Sequence, residues 1–302
     1  MISYSHQVFF KVAENLSFSK AAIALFISQP AISKHIKLLE KQYNSNLFER
    51  KGNSILLTNA GTILFQHLAK AKEIEKQVEF DISTFKNEKS ARGSLVIGAS
   101  TTVALYVIPA ILSSFHQKYP AINLQLINRN SENILKSLLD NEIDLGIIEG
   151  KNKITSVKYQ FFLSDEVVAV CAAKSPLAKR KKIAIDELKE IPIALRERGS
   201  GTLAAVTEAL SRHKIRINDF KTKIILGGTE ALKNFLLDDT CLGFLPLRSV
   251  RKEIKNGELV KINIPDLPIQ REFYFIQRQG SETDNFNALF IKLAASRYNK
   301  KL

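Results

Sequence analysis

Apolar residues recur at helical spacing three times within the first 45 residues, and each recurrence predicts a short helix. The first helix is predicted over residues 5–14. Ser19 is the predicted N-cap of a second helix that runs to about Phe26, and Ser28 is the predicted N-cap of a third that ends near Tyr43. Because only a short turn separates the second helix from the third, the pair is typical of a helix-turn-helix.

The third helix has one apolar and one polar face. Its apolar face is predicted to pack in the core and consists of Ile32, Ile36, Leu39 and Tyr43. On the outer face, Gln29, Ser33 and Lys37 follow at intervals of four, with Lys34 beside them. Amide and hydroxyl groups can bond to base edges and lysines can pair with phosphates, so this face predicts DNA recognition. An ordinary amphipathic helix with a solvated face is the alternative.

Residues 47–58 alternate in a way that predicts strand, turn and strand, with Arg50 and Lys51 just before the Gly52-Asn53 turn. A basic hairpin tip is suited to contact phosphates or a minor groove. The first 60 residues therefore predict a winged helix-turn-helix.

A long helix is predicted next, capped by Thr58 or Asn59 and running to about residue 88. A seven-residue apolar repeat runs along it, formed by Leu64, Ala71, Val78 and Phe85. Such a repeat favours a coiled coil, and hence pairing of two copies through this helix. A single helix packed on its own domain is the alternative.

From residue 95 onward strands and helices alternate, which predicts an α/β fold with largely parallel sheets. Hydroxyl-bearing residues and glycines follow three of the strands, where open α/β sheets bind ligands and helix N-termini attract anions. These candidate ligand-binding residues are Ser100, Thr101, Thr102, Ser200, Gly201, Thr202 and Thr229. They predict a cleft for a small anion, with hydrogen-bond donors and no fixed buried cation. The alternative is that these residues only cap helices.

Net charge adds little to this picture. The chain of 302 residues has a formal charge of +14. Residues 1–90 carry 12 basic and 8 acidic side chains, whereas residues 91–302 carry 32 and 22, so most of the excess lies outside the predicted DNA-binding segment. The longest apolar runs, such as residues 167–173, are far shorter than the roughly 20 residues of a membrane span. With only two cysteines, the chain is expected to be cytoplasmic, without a membrane partner.

The motifs together resemble the LysR-type transcriptional regulators. In the N-terminal part the resemblance rests on Phe18–Ala22 with Leu25, on residues 28–33, on Ile36, Leu39 and Glu40, and on residues 47–50 and 57–61. In the C-terminal part it rests on Ile108-Pro109, Phe115, Tyr119-Pro120 and residues 144–147, 165–166, 196–202 and 242–246. The run at 196–202 is closest to the branch that includes regulators of sulfur assimilation and carbon fixation. Three departures are Leu16 in place of a usual glycine, Lys34 in place of a common arginine, and Leu203 in place of an arginine frequent in that branch.

The resemblance implies an α+β multidomain fold: a winged helix-turn-helix, a long linker helix, and an α/β effector domain of two periplasmic-binding-protein-like subdomains. The expected boundaries are 1–60, 61–90 and 91–302, with subdomain I at about 91–160 and 268–302 and subdomain II at about 161–267. The implied partners are a double-stranded DNA operator, a small anionic effector and further copies of the chain, as a homodimer or a homotetramer. RNA polymerase is an additional candidate partner.

The residues expected to contact DNA are Ser28, Gln29, Ser33, Lys34, Lys37, Arg50 and Lys51. Leu64, Ala71 and Val78 are expected to mediate dimerisation.

A solute-binding protein is one competing function, because the C-terminal half has that architecture. An enzyme that uses the same cleft is another, but no nucleophile, phosphate-binding or zinc motif appears. No catalytic residue, metal or cofactor is therefore expected, and Cys171 and Cys241 are interpreted as core residues.

Overall fold

A computed structural model describes residues 2–52, 54–85, 90–150, 154–180, 182–280 and 285–298. The chain divides into two compact units, Met1–Lys86 and Asn87–Leu302. Asn53 of the predicted wing turn, the predicted end of the long helix at residues 86–88, and Lys181 lie outside the described residues.

The first unit contains three short helices, a two-stranded antiparallel hairpin and one long helix. They are α1 (Tyr4–Asn15), α2 (Phe18–Leu25), α3 (Gln29–Tyr43), β1 (Phe48–Lys51), β2 (Ser54–Leu57) and α4 (Asn59–Thr84). The predicted winged helix-turn-helix is confirmed. Its core is formed by apolar side chains from α1, α2 and α3 together with Leu47 and Leu68.

Local capping chemistry sets the helix ends in this unit. The Ser28 hydroxyl accepts a bond from the Ala31 amide at the start of α3, as predicted, and Asn44 ends α3 in the left-handed conformation that asparagine tolerates. The cap of α2 is Ser17 and not the predicted Ser19, because Ser17 has the extended backbone of an N-cap and accepts from the Lys20 amide. The predicted core position of Tyr43 is wrong. Tyr43 is 42% exposed, and its hydroxyl bonds to Nε2 of His6 instead.

The second unit is an α/β domain. Its strands are β3 (Gly93–Ser100), β4 (Ile122–Arg129), β5 (Leu145–Glu149), β6 (Val157–Ala172), β7 (Ile193–Arg196), β8 (Thr222–Leu226), β9 (Leu242–Pro246), β10 (Leu259–Ile262) and β11 (Ile269–Arg278). Its α-helices are α5 (Thr101–Tyr106), α6 (Ile108–Lys118), α7 (Ser131–Leu139), α8 (Gly201–Ser211), α9 (Thr229–Asp238), α10 (Leu247–Lys255) and α11 (Asn285–Tyr298). The sequence pattern of residues 103–118 predicts a single helix, but the structure has two, α5 and α6, because Pro109 lacks an amide and favours the first turn of a new helix.

The expectation of largely parallel sheets is wrong at the centre of the domain. The strand order is β4-β3-β5-β11-β6-β9-β7-β8, with β10 also paired to β6. The outer strands pair in parallel, but β11 is antiparallel to both β5 and β6, and β6 is antiparallel to β9 and β10. The long β6 and β11 thus cross from one half of the domain to the other. We call β4, β3 and β5 with their helices the first half, and β7, β8, β9 and β10 with theirs the second half.

Both cysteines are buried among apolar side chains, as the sequence predicts. Burial raises the pKa of the Cys171 thiol. Burial and the nearby Asp239 carboxylate raise the pKa of Cys241 to about 11, so neither thiol is activated as a nucleophile. Within the described ranges, no helix is long and apolar enough to cross a membrane, and no cluster of His, Cys, Asp and Glu could hold a metal ion.

Candidate DNA-binding surface and effector cleft

The outer face of α3 carries the predicted recognition residues on the surface. Gln29, Lys34 and Lys37 are exposed and Ser33 is half-buried, whereas Ile32, Ile36 and Leu39 are buried on the opposite face. Gln29, Ser33, Lys34 and Lys37 line one shallow concavity together with Pro30. The exposed Ser28 side chain is used as the N-cap of α3, so it stabilises the helix start.

The hairpin lies next to this face. Gln29, Ser33, Lys37 and Arg50 line a single groove of about 520 Å³ between α2, α3 and the hairpin. Lys51 pairs with Ser54 at the tip of the hairpin and is exposed, outside that groove. The structure therefore brings four of the predicted DNA contacts together and puts the cation of Lys51 at the wing tip.

One residue of this surface was missed as a candidate. The Ser19 hydroxyl donates a hydrogen bond of 3.2 Å to Oε1 of Gln29, and Ser19 lines the same groove. The sequence pattern predicts Ser19 as the cap of α2 instead. The signal that could have identified it is the tight helix-turn-helix spacing, which brings the start of α2 against the start of α3.

The apolar repeat of α4 is divided between two environments. Leu64 packs against the core of its own unit beside the buried Leu68, and Ala71 is half-buried. Further along, large apolar side chains are exposed: Ile74, Val78, Ile82 and Phe85, at 64%, 49%, 73% and 87%. The first turns of α4 therefore pack on their own unit, as the alternative to a coiled coil predicts. The exposed apolar stripe begins at Ile74.

At the end of β3 the predicted hydroxyls are buried. Ser100 and Thr102 are 1% and 0% exposed, and neither Ser100 Oγ nor Thr102 Oγ1 has a hydrogen-bond partner among the residues that the structure describes. Ser100 precedes α5 as its N-cap residue but makes no capping bond with its side chain. Thr101, between them, is half-buried. Two orphaned buried hydroxyls in one short segment are unusual, because an unpaired buried polar group costs about 1–3 kcal/mol.

At the start of α8 the predicted residues meet a buried ion-pair network. Thr202 Oγ1 accepts a bond of 2.9 Å from Nη1 of Arg271, a buried residue of β11. The same guanidinium lies 3.0 Å from Glu149 and 2.7 Å from Asp165. Asp165 is also bound by Arg248 at 2.7 Å. The expectation of no fixed buried cation is therefore wrong, because the tertiary fold brings the buried Arg271 of β11 to the start of α8.

Glu149 connects this network to the first half of the domain. Its second carboxylate oxygen accepts a hydrogen bond from the Ser131 hydroxyl at the start of α7. The carboxylate also lies against Gly201, where an added Cβ would come within 2.5 Å of the Glu149 Cβ. Only glycine therefore fits at position 201. Ser200 caps α8 by accepting from the Leu203 amide.

A second buried arginine lies at the start of α9. Arg196 Nη1 donates to Thr229 Oγ1 at 2.8 Å, and Arg196 pairs with Glu197. Burial alone would raise the pKa of Glu197, but the Arg196 guanidinium holds that pKa below its ordinary value. Thr202 and Thr229 thus each accept from an arginine, which leaves the hydroxyl proton of each free to donate.

The two halves are also in direct contact near these residues. The Glu132 amide donates to the Gly199 carbonyl at 3.3 Å, and the Tyr106 hydroxyl donates to Glu230. Ser131, Glu149, Arg271 and Thr202 therefore form one connected cluster between the halves. Ser100 and Thr102 are buried in the first half without a bond to that cluster, so their convergence with α8 stays a prediction.

Comparison with known proteins agrees with this architecture. Residues 5–62 match the family described as "Bacterial regulatory helix-turn-helix protein, lysR family", and residues 88–298 match "LysR substrate binding domain". The HTH-type transcriptional regulator CysL of Bacillus subtilis is 28% identical over 98% of this chain and 97% of its own. The HTH-type transcriptional activator CmpR of Synechocystis is 30% identical over 92% of this chain and 90% of its own.

A solved structure shares the fold of the second unit. The regulatory domain of Synechocystis CcmR, determined in complex with 2-PG, is 29% identical over 68% of this chain and 97% of its own, with a TM-score of 0.62. CysL and CmpR are both transcriptional regulators by name. Because the two family models together match nearly all of its length, the chain belongs to the LysR family of transcriptional regulators.

Proposed function

We propose that this LysR-type regulator binds an operator through the outer face of α3 and the hairpin, and that a small anion bound in the second unit changes that binding. On DNA, Gln29 and Ser33 would contact base edges, and Lys34, Lys37, Arg50 and Lys51 would contact phosphates. The grouping of Gln29, Ser33, Lys37 and Arg50 around one groove supports this arrangement.

The observation that carries the effector proposal is the pair of orphaned hydroxyls, Ser100 Oγ and Thr102 Oγ1. A bound oxyanion or carboxylate would accept both protons and remove their desolvation cost. Thr202 and Thr229 would add donors, since each already accepts from a buried arginine. CcmR was solved with 2-PG, which supports a small ligand in this domain.

The charge balance of the cleft indicates modest affinity. Arg271 is already neutralised by Glu149 and Asp165, and Arg196 by Glu197. An anion would therefore meet hydroxyl donors and helix N-termini, with no free buried cation among these groups. That chemistry suits an effector that binds and dissociates readily, as a metabolite sensor requires.

A calorimetric titration tests this site with three probes: sulfate, phosphate and 2-PG. For a probe that binds, Ser100→Ala and Thr102→Val should each weaken affinity by roughly fivefold to a hundredfold, the equivalent of one lost hydrogen bond. Ser211→Ala is the matched control, because Ser211 is an exposed serine whose hydroxyl donates to the Glu208 carbonyl of its own helix. Unchanged affinity in both cleft variants would remove these hydroxyls from the site.

We also propose that two copies pair through the exposed part of α4, with a homotetramer as the larger alternative. The apolar side chains from Ile74 to Phe85 support this pairing. Two-fold pairing would present two α3 helices to half-sites of a partly palindromic operator. RNA polymerase is a further candidate partner. We also propose that the DNA-binding domain ends near residue 60 and that the linker helix ends near residue 90.

A further inference from the structure

The amide of Gln29 is held by a residue of another helix. Ser19 of α2 donates a 3.2 Å hydrogen bond to Gln29 Oε1 at the first position of α3. Both side chains are exposed, and both line the groove shared with Ser33 and Arg50. Ser19 does not cap α2, because Ser17 does so, and its hydroxyl is therefore available for this contact.

The bond determines which hydrogen-bonding groups Gln29 offers to DNA. A glutamine amide has an oxygen with two lone pairs and a nitrogen with two protons. The Ser19 bond turns Oε1 toward α2 and occupies one of its lone pairs, so the two protons of Nε2 are left to face outward. The Ser33 hydroxyl donates to the Gln29 carbonyl at 3.2 Å, so Ser33 offers only acceptor lone pairs. The surface thus presents donors at Gln29 and an acceptor at Ser33.

We propose that Ser19 is a positioning residue for sequence readout, and that it makes Gln29 a donor that selects guanine. In the major groove, guanine presents two acceptors, N7 and O6, whereas adenine presents N7 beside an amino donor. An Nε2 group with both protons free matches guanine, and the adenine amino group would face another donor. This inference rests on the proposed DNA contact of Gln29.

The test begins with duplexes selected from a random-sequence pool by the full-length protein and, separately, by Gln29→Ala. The base pair at which selection is lost in Gln29→Ala should be G·C. Ser19→Ala should lower the preference for G·C over A·T at that pair by about threefold to tenfold, and Ser19→Thr, which keeps the hydroxyl, should restore it. Replacing the guanine with 7-deazaguanine, which lacks N7, should weaken binding of the native protein and leave Gln29→Ala unchanged.

Two readouts separate positioning from a structural role. Thermal unfolding and affinity for random DNA should be the same for Ser19→Ala and the native protein, because Ser19 is an exposed helix residue. If Gln29→Ala selects the same sequences as the native protein, the proposed contact of Gln29 is wrong, and this inference falls with it. Two other outcomes would overturn only the role of Ser19. In the first, Gln29→Ala loses selection at one base pair, but Ser19→Ala keeps the native preference for G·C over A·T there. In the second, the base pair at which Gln29→Ala loses selection is A·T.

Discussion

At the scale of single residues, two helix ends carry bulky side chains in a conformation that favours glycine. Leu16 ends α1 at φ +43° and Phe26 ends α2 at φ +55°, both left-handed. Leu16 stands where the LysR resemblance expects glycine, and the backbone angle explains that expectation. A left-handed residue with a side chain costs about 1–2 kcal/mol, so each position stores a small strain.

Phe26 gives the cleaner test of that strain, because its side chain is 94% exposed and loses no packing when removed. Phe26→Gly should raise the free energy of unfolding by up to about 1 kcal/mol, after the extra unfolded-state entropy of glycine is subtracted. Phe26→Ala is the matched control, since it removes the ring and keeps the strain. Urea unfolding followed by circular dichroism measures both, and equal stability of the two variants would contradict the explanation.

The buried Arg271 is the second case at this scale. Arg271→Met should destabilise the second unit by about 3–5 kcal/mol, because it leaves Glu149 without its cation and the buried Asp165 with one partner fewer. Arg212→Met removes the same type of group from an exposed pair with Glu208 and should cost no more than about 1 kcal/mol. Differential scanning calorimetry of the full chain tests this contrast, and similar losses in the two variants would refute it.

These residues also mark what the sequence could predict at this scale. The caps Ser28 and Asn44 were predictable, because each acts on amides or angles within a few residues of itself. Arg271 contacts Thr202 across 69 positions and Asp165 across 106, so no local pattern could reveal it. The hydroxyls of Ser100 and Thr102 were chosen from strand-to-helix junctions, but their lack of partners depends on the tertiary fold.

At the scale of elements, the long helix α4 shows the same limit. A seven-residue repeat predicts an apolar stripe but does not say what covers it. The structure packs Leu64 and Leu68 on the first unit and leaves the stripe from Ile74 exposed. Likewise, the apolar run of residues 167–173 predicts only the end of β6, because the earlier part of the strand, which pairs with β11, contains exposed positions.

The exposed stripe gives a prediction for the helix. Val78→Glu should weaken self-association, because a carboxylate would have to be buried against the partner helix. Operator affinity should fall with it, through lost avidity. Gln66→Glu places the same charge at an exposed polar position of α4 and should leave the oligomer unchanged. Sedimentation equilibrium decides the matter: an unaltered oligomer in Val78→Glu would exclude α4 as the pairing helix.

At the scale of the whole molecule, most of the net positive charge does not lie in the unit that carries the proposed DNA-binding surface. Most of the net charge lies in residues 91–302, yet many of those cations are paired, such as Arg180 with Glu187 and Arg216 with Asp219. The DNA-binding surface instead depends on a few cations in the right place. The sheet topology likewise depends on contacts between distant parts of the chain. Strands β6 and β11 pair across about a hundred positions, and no periodic pattern in the sequence indicates that pairing.

Salt dependence separates local from global charge. Arg50→Ala should weaken binding to all DNA sequences and reduce the log–log salt slope by about 0.9, the value for one lost phosphate contact. Arg216→Ala removes an equal charge from the second unit and should leave the slope unchanged. Fluorescence anisotropy titrations at several salt concentrations measure both slopes. A slope that falls equally in the two variants would show that overall charge, and not the hairpin, governs DNA affinity.

The central claim is that occupancy of the effector cleft alters operator binding, and a quantitative footprint titration measures it directly. The full-length protein is titrated onto a selected duplex and a random duplex, with and without the anion that binds by calorimetry, at constant ionic strength. We expect protection of the selected duplex alone. The anion should shift the midpoint or the protected length in the native protein but not in Thr102→Val, whose protection without the anion should be normal. Equal protection of random DNA, or a footprint that the bound anion leaves unchanged, would contradict the account.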